Sequence, residues 1–437
     1  MGRWAIVLIA VLGVSGIAQG QEADGGTPQD APAPIPVEHH HSKPLKMATL
    51  WLSHARESSG TSWQPDSSPV YGTHLVIDDW MLMFHYAVFG VFDQMYGPRG
   101  SSAIFVPDWA MAHVQHQLLG GIAKLKVMMS LEPGLVPARG YPLLLQTGET
   151  YQGEALHDVQ HPHNLFMELA LDYSRELGSS GIAFEVYAAP VGEPALGPTA
   201  FMHRESAALD PLAPITHHDL DSTHVSFGVV TAAIYTRQFK VESSFFNGHE
   251  PDEHRWGFND LALNSFSARV QWAPCRGFVG QVSYGHLSSP EALAPGQDQD
   301  RFTASGTINY RFSYDGNWAT TIAYGYKLQA NLPVNGVLAE TNLNADGHSN
   351  VFARFEWAQR TPDDLDLGPG FAPRLGVAQA TLAYLYELDP LPVVDIKPGV
   401  GIAGMLSFVP DTLENLYGSS AEPGLLVYLR LRPATSL

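Results

Sequence analysis

Histidine and carboxylate recur together along this chain in a pattern that could hold a metal ion. His161 and His163 end one polar connection, and His203, His217, His218 and His224 lie in or just after the next. In a third, His249 and His254 flank Glu250, Asp252 and Glu253. Imidazole with carboxylate suits Zn or Cu(II), and imidazole with thioether suits Cu(I). A softer donor pattern occurs earlier: Met81, Met83 and His85, then Met111 and His113. Residues two apart share one face of a strand. The competing reading of these 19 histidines is structural, because imidazoles at loop ends bond to backbone and methionine fills space. No HExxH spacing is present. Ser222 near His224 invites a hydrolytic reading, but no Gly-x-Ser-x-Gly elbow surrounds it, and the chain reads as a non-enzyme.

The elements that would carry these residues alternate with period two. From Asn164 to Glu176, Leu165, Met167, Leu169, Leu171 and Tyr173 fall on one face, and Glu168 and Asp172 on the other. Other alternating segments set Lys124, Lys126, Glu185, Glu242, Arg269 and Arg311 on their polar faces, with Arg354, Glu356, Arg430 and Arg432 further on. Charges facing lipid cost about 2–4 kcal/mol at mid-depth for Arg or Lys, so in a membrane these twelve belong to the interior. There they either brace the wall as ion pairs or line a pore and shape its permeability.

Alternation alone also suits a soluble sandwich. Two features favour a closed membrane barrel. The segments run to about 10–14 residues, the length of a tilted membrane strand. Their connections alternate between tight turns, such as Gly178-Ser179-Ser180-Gly181 and Asp346-Gly347, and long loops at 94–102, 132–163, 192–222, 247–264, 289–300, 359–376 and 409–423. Short turns on one side and long loops on the other are the habit of outer-membrane barrels. The expected fold is therefore an all-β, antiparallel up-and-down transmembrane barrel over 79–433, followed by a tail, 434–437. It has about 16 strands, or fourteen if the weakest segments, 336–344 and 398–408, drop out.

The first twenty residues read as a secretory signal: Arg3, an apolar run from Trp4 to Ile17, and the small-residue motif Ala18-Gln19-Gly20. Residues 21–78, rich in Pro, Gly, Ser and His and including His39-His40-His41, read as a flexible periplasmic arm. One cysteine, Cys275, precludes an intramolecular disulfide. The formal net charge of −20 makes nucleic acid a poor partner.

Four stretches resemble an uncharacterised family of predicted bacterial outer-membrane β-barrel proteins. They are Gln160-His161-Pro162-His163-Asn164-Leu165-Phe166-Met167, Gly192-Glu193-Pro194-Ala195-Leu196-Gly197-Pro198, His217-His218-Asp219-Leu220-Asp221-Ser222-Thr223-His224, and Glu250-Pro251-Asp252-Glu253-His254-Arg255. The similarity extends from about Trp80 to the Leu429–Pro433 ending. Members often carry a longer His- and Met-rich arm after the signal, reduced here to His39–His41. The resemblance implies location and fold and assigns no chemistry.

The leading expectation is a porin-like outer-membrane channel for small solutes or ions, with loops 132–163 and 192–222 long enough to constrict it. The alternatives are a barrel handling copper or zinc through its loop histidines, and a loop-plugged structural barrel without transport. The expected partners are outer-membrane lipid, the barrel-assembly machinery, and small solutes or metal ions.

Overall fold

In the computed structural model, residues 50–436 are described. The signal, residues 21–49 of the expected arm and Leu437 lie outside them. The strands are β1 (Thr73–Ile77), β2 (Trp80–Met95), β3 (Ser102–Phe105), β4 (Asp108–Leu118), β5 (Gly121–Met129), β6 (Tyr141–Tyr151), β7 (Glu154–Gln160), β8 (Phe166–Glu176), β9 (Ala183–Gly192) and β10 (Ser226–Tyr235). They continue as β11 (Phe239–Phe246), β12 (Ser265–Cys275), β13 (Phe278–Leu287), β14 (Gln299–Arg311), β15 (Asn317–Gln329), β16 (Leu332–Asn344), β17 (Ser349–Arg360), β18 (Leu375–Glu387), β19 (Lys397–Phe408) and β20 (Ala421–Arg432).

Sixteen of these form a closed antiparallel wall. β2 pairs with β4 through Trp80–Val88 and with β20 through Val88–Met95, which closes the cylinder. β4, β5 and β8 to β20 each pair with the next in sequence. Among the described residues no helix is long and apolar enough to cross a membrane; the strands are the spanning elements. Both doubtful segments form full strands, β16 and β19, so the count is sixteen and not fourteen.

Alternation builds this wall as the side-chain period of a strand requires. In β15, Trp318, Ile322 and Tyr324 stand exposed on the outside, while Ala319, Thr321 and Ala323 are buried inside. Trp80, Phe239, Trp272, Tyr310 and Trp318 add exposed outward rings near the turn-side strand ends, the aromatic girdle of an outer-membrane barrel. β15 and β16 are joined by Ala330 and Asn331, both at positive φ (49° and 64°), as a two-residue hairpin requires.

The interior is not open. Three segments fill it. The first is the described part of the expected flexible arm. Residues 50–72 pack against inner-wall side chains, and then β1 pairs with the lower half of β2. Gly72 N–H donates to Thr435 O at 2.9 Å, and Tyr71 bridges to Ser436, so the arm and the chain end are laced together. The second is the β6–β7 hairpin of loop 132–163. The third is the connection 193–225. Leu143, Leu144 and Leu145 from the hairpin and Leu209, Leu212 and Ile215 from the connection share an apolar cluster with inward wall residues such as Phe352, Leu385 and Leu426.

Candidate functional site

The inward charges mostly hold the inserted segments. Arg204, in the connection, donates to Glu340 of β16 at 2.7 Å and to Asp221 at 2.6 Å. Arg354 reaches Glu340 (3.1 Å) and Asp210 (3.0 Å), and Glu356 accepts from Thr216 N–H and hydroxyl at 2.9 and 2.8 Å. Arg360 meets Asp219 at 3.0 Å. Two glycines make the docking close: a Cβ on Gly325 would lie 2.3 Å from Asp219 O, and one on Gly336 would lie 2.9 Å from Asp219 Cβ. Buried pairs of this kind repay desolvation only when nearly every donor and acceptor is matched. This network meets it in part: Arg204 Nη2, Arg354 Nη2, Asp219 Oδ1 and Glu356 Oε2 are left without a partner among the described residues.

The arm is held the same way by the opposite wall. Lys126 donates to Gly60 O (2.5 Å) and Lys240 to Thr61 O (2.7 Å). The Thr61 hydroxyl donates to Glu242 at 2.6 Å and accepts from Arg269 at 3.2 Å. Arg269 also donates to Glu242 (2.8 Å) and to Gly197 O (3.0 Å), so arm and connection meet on one guanidinium. Lys124 pairs with Glu57. Burial alone would raise the Glu57 carboxyl, but Lys124, with Lys126 behind it, holds it at about 2.

The remaining inward charges are paired or stand at the mouth. Glu168 accepts from the Tyr187 hydroxyl (2.7 Å), Asp172 lies 3.8 Å from Lys126, and Glu185 pairs with Lys240 at 2.8 Å. Arg430 and Arg432 share Glu387, each at 2.6 Å. Arg311 borders the turn-side mouth and donates to Tyr314 O. All twelve expected pore-lining residues thus take the inner face, although most of them grip a plug and do not face open water.

What is left of the lumen is a cavity of about 160 Å³, bordered by arm, connection and wall. A second cavity of about 250 Å³ opens at the turn side. The two share Pro69, Tyr71, Asn344 and Arg432 as lining. Among these shared residues the Arg432 guanidinium stacks 3.6 Å from the centre of the Tyr71 ring, a cation–π contact. Glu205 borders the inner cavity, where burial lifts its carboxyl to about 7 against the pull of Arg432 and Arg430.

The eight histidines expected to bind metal separate into three groups. Five gather where the hairpin loop and the connection meet: ring centroids step from His161 to His218 (5.6 Å), His217 (5.2 Å), His224 (5.1 Å) and His163 (5.3 Å). Three of these imidazoles hold a carboxylate or a backbone oxygen through Nδ1, although the Nε2 of His224 is left without a partner among the described residues. His163 bonds to Glu132 at 2.9 Å, His217 to Asp221 at 2.7 Å, and His224 to Asp221 O at 2.8 Å. His161 and His218 lie 3.1 and 3.4 Å from Glu149 and Glu250, close but out of line for a hydrogen bond. Burial pulls His161, His217 and His224 down. It opposes the His163 proton too, but Glu132 overrides it and raises that group. His249 and His254 are exposed and stand apart.

His203 belongs to another cluster. It lies 5.6 Å from His85 and 4.6 Å from Trp109 between ring centroids, with its Nε2 3.4 Å from the Met128 sulfur. His85 is 5.7 Å from His113. The β2–β4 register sets His85 opposite Met111 and Met83 opposite His113. The alternating Met/His face read from the sequence is therefore a lumen face. Its third imidazole, from a connection some ninety residues further on, could not be read from spacing.

Ser222 accepts from Arg301 at 2.7 Å, and His224 turns to Asp221 O, so the two do not form a nucleophile–base pair. Among the described residues no group of three His, Cys, Asp or Glu is arranged to hold a metal ion. Inward residues that sequence reasoning passed over include Glu340, Arg360 and Tyr71; strand parity would have found the first two.

No protein-family model matches the chain, and no curated protein matches it. Solved structures do resemble it. Salmonella typhi OmpF, in a complex with daunomycin, is 8% identical over 82% of this chain and 100% of its own, with a TM-score of 0.50. The anion-selective porin from Comamonas acidovorans is 10% identical over 81% of this chain and 99% of its own, also with a TM-score of 0.50. At such identities the likeness is one of fold, and the fold it shows is the sixteen-strand wall of the outer-membrane porins.

Proposed function

We propose that this chain is a narrow, plugged channel of the bacterial outer membrane, passing small solutes or ions and not serving as an open pore. The observation that carries this reading is the pair of cavities that share Tyr71 and Arg432 as lining inside a porin-type wall. A charged constriction between them would select by charge and diameter. Export by the leader at 1–20 and insertion by the barrel-assembly machinery, into outer-membrane lipid, belong to the same reading. No reaction is assigned: the serine and histidines that suggested one have other partners.

Planar-bilayer recording tests it. The folded protein should give small conductance steps, and Tyr71→Ala should enlarge them about two- to threefold by widening that constriction. A folded preparation of both forms that carries no current rejects the channel.

A second reading, copper or zinc handling by the loop histidines, is favoured by the gathering of five imidazoles. It requires that Zn(II) or Cu(II) binding vanish when His161, His163, His217 and His218 are replaced by Ala.

A further inference from the structure

We propose that the β2–β4 wall and the connection facing it form a site for a soft monovalent metal ion of the Cu(I) class, built from His85, His113 and His203 with the thioethers of Met83, Met111 and Met128. This site shares no residue with the loop-histidine cluster except His203, which the structure removes from that cluster, and it does not depend on the channel reading.

The geometry begins with the strand register. Directly opposed residues on one face of an antiparallel pair stand about 4.5–5.5 Å apart at Cβ. The His85–Met111 and Met83–His113 pairs therefore make a block of two imidazoles and two thioethers on the inner wall. His203 closes over it from the connection, its Nε2 3.4 Å from the sulfur of Met128, which stands on β5 directly opposite Met111. With metal–nitrogen bonds of about 2 Å, two imidazoles on one ion place their ring centres roughly as far apart as those of His85–His113 and His85–His203, at 5.7 and 5.6 Å.

The donors are also unspent. The Nε2 atoms of His85 and His113 are buried without a hydrogen-bond partner among the described residues. A buried polar atom left unpaired is destabilising, so two neighbouring ones beside a cavity demand an explanation. Ligation supplies one. Among the described residues none of the three imidazoles has an ion-pair partner, in contrast to the loop cluster.

The donor chemistry selects the ion. Neutral imidazole and thioether suit Cu(I), whereas Zn(II) and Cu(II) favour sites that include charged or harder ligands. Lys126, directly opposite His113 in the β4–β5 register, is held by Gly60 O and lies 3.8 Å from Asp172, and it adds no ligand. The three imidazoles alone do not converge on one point, so the thioethers are part of the set. The inner cavity, which Met83, Met111, His85, His113 and His203 all border, gives the ion a way in.

The test uses the full-length, detergent-folded protein, titrated anaerobically with Cu(I) under ascorbate against a chromophoric Cu(I) chelator. The expected result is one tightly held Cu(I) per chain, with both nitrogen and sulfur scattering in its X-ray absorption spectrum. Met111→Leu with Met128→Leu should weaken binding at least tenfold and remove the sulfur scattering. The quadruple loop variant, His161, His163, His217 and His218 to Ala, should bind as the parent does. Folding is scored by the heat-dependent gel shift of closed barrels. If the double variant does not fold, His203→Phe, confined to the connection, replaces it and should also lose at least tenfold. No Cu(I) binding by the folded parent, undiminished binding by the variants, a spectrum without sulfur, or loss only in the loop quadruple would each overturn the site. The titration reads no conductance, so a channel that fails to conduct leaves its outcome intact.

Discussion

Two groups of buried histidines lie in the same lumen and differ in the groups that border them. In the loop cluster four of the five rings set Nδ1 against a carboxylate or a backbone oxygen: His161 against Pro162 O, His163 against Glu132, His217 against Asp221, and His224 against Asp221 O. Nε2 of His161 and His224 and both nitrogens of His218 have no hydrogen bond among the described residues. On the β2–β4 wall, His85 and His113 keep an unpaired Nε2, and the third ring touches a thioether. Histidine count does not mark a soft-metal site; the neighbouring groups do, carboxylates beside the loop rings and thioethers beside the wall rings. The loop imidazoles fasten two insertions to each other. Among the described residues the wall imidazoles make no such bond to a carboxylate or a backbone oxygen.

That difference predicts unequal costs of mutation, the largest in the loop cluster. Asp221 accepts from Arg204 at 2.6 Å and from His217 at 2.7 Å, and with Arg204 and Asp219 it anchors the connection to the wall. Burial would raise its carboxyl, but Arg204 and then His217 hold it far below the usual range. Asp221→Ala should cost about 3–5 kcal/mol, the penalty for leaving a buried charge without its partner. Urea titration of the folded barrel measures it, and a loss below about 1 kcal/mol would show that the connection is not held by this network.

The next effect is smaller and depends on pH. His163 keeps its proton because of Glu132, so its folded pKa lies above the unfolded value. The stability it lends is full below about 6.5 and is lost as pH rises through the raised folded value. The slope is about 1.4 kcal/mol per pH unit for one proton. Glu132→Gln should flatten that part of the stability–pH curve, whereas substitution on the β2–β4 wall should not. An unchanged slope in Glu132→Gln would mean that the pair titrates as it does in the unfolded chain.

Much of this architecture was legible in the sequence, and the reason is local. A wall residue faces lipid or lumen according to parity, so period-two alternation located all sixteen strands and put Lys124, Arg269 and Arg354 inside. The arm was illegible for the converse reason. Residues 50–72 carry no period; they are held by isolated polar contacts such as Thr61 to Glu242 and Trp63 N–H to Gln271. Those partners lie far along the chain and come near only once the wall has closed. The histidine groups follow the same rule. Met83, His85, Met111 and His113 share a face by register and could be read directly. The joining of His203 to them, and of His163 to His217, depends on how two loops fold into one lumen.

The sharpest probe of the contrast is also the one with the least effect on stability. His85 has a buried Nε2 without a partner and edge-on aromatic contact with Trp109, 5.1 Å between ring centres. Replacing it by Phe removes an unsatisfied polar atom, which favours folding, and adds a little volume, which opposes it. The two terms are of similar size, so the metal-free His85→Phe barrel should unfold within about 1 kcal/mol of the parent. A structural histidine in that position would instead lose what Asp221→Ala loses across the lumen. A ligand-type histidine leaves the apo protein almost unchanged, and its absence shows only when Cu(I) is added. A large loss of apo stability in His85→Phe would make the wall cluster another fastener and erase the distinction between the two groups.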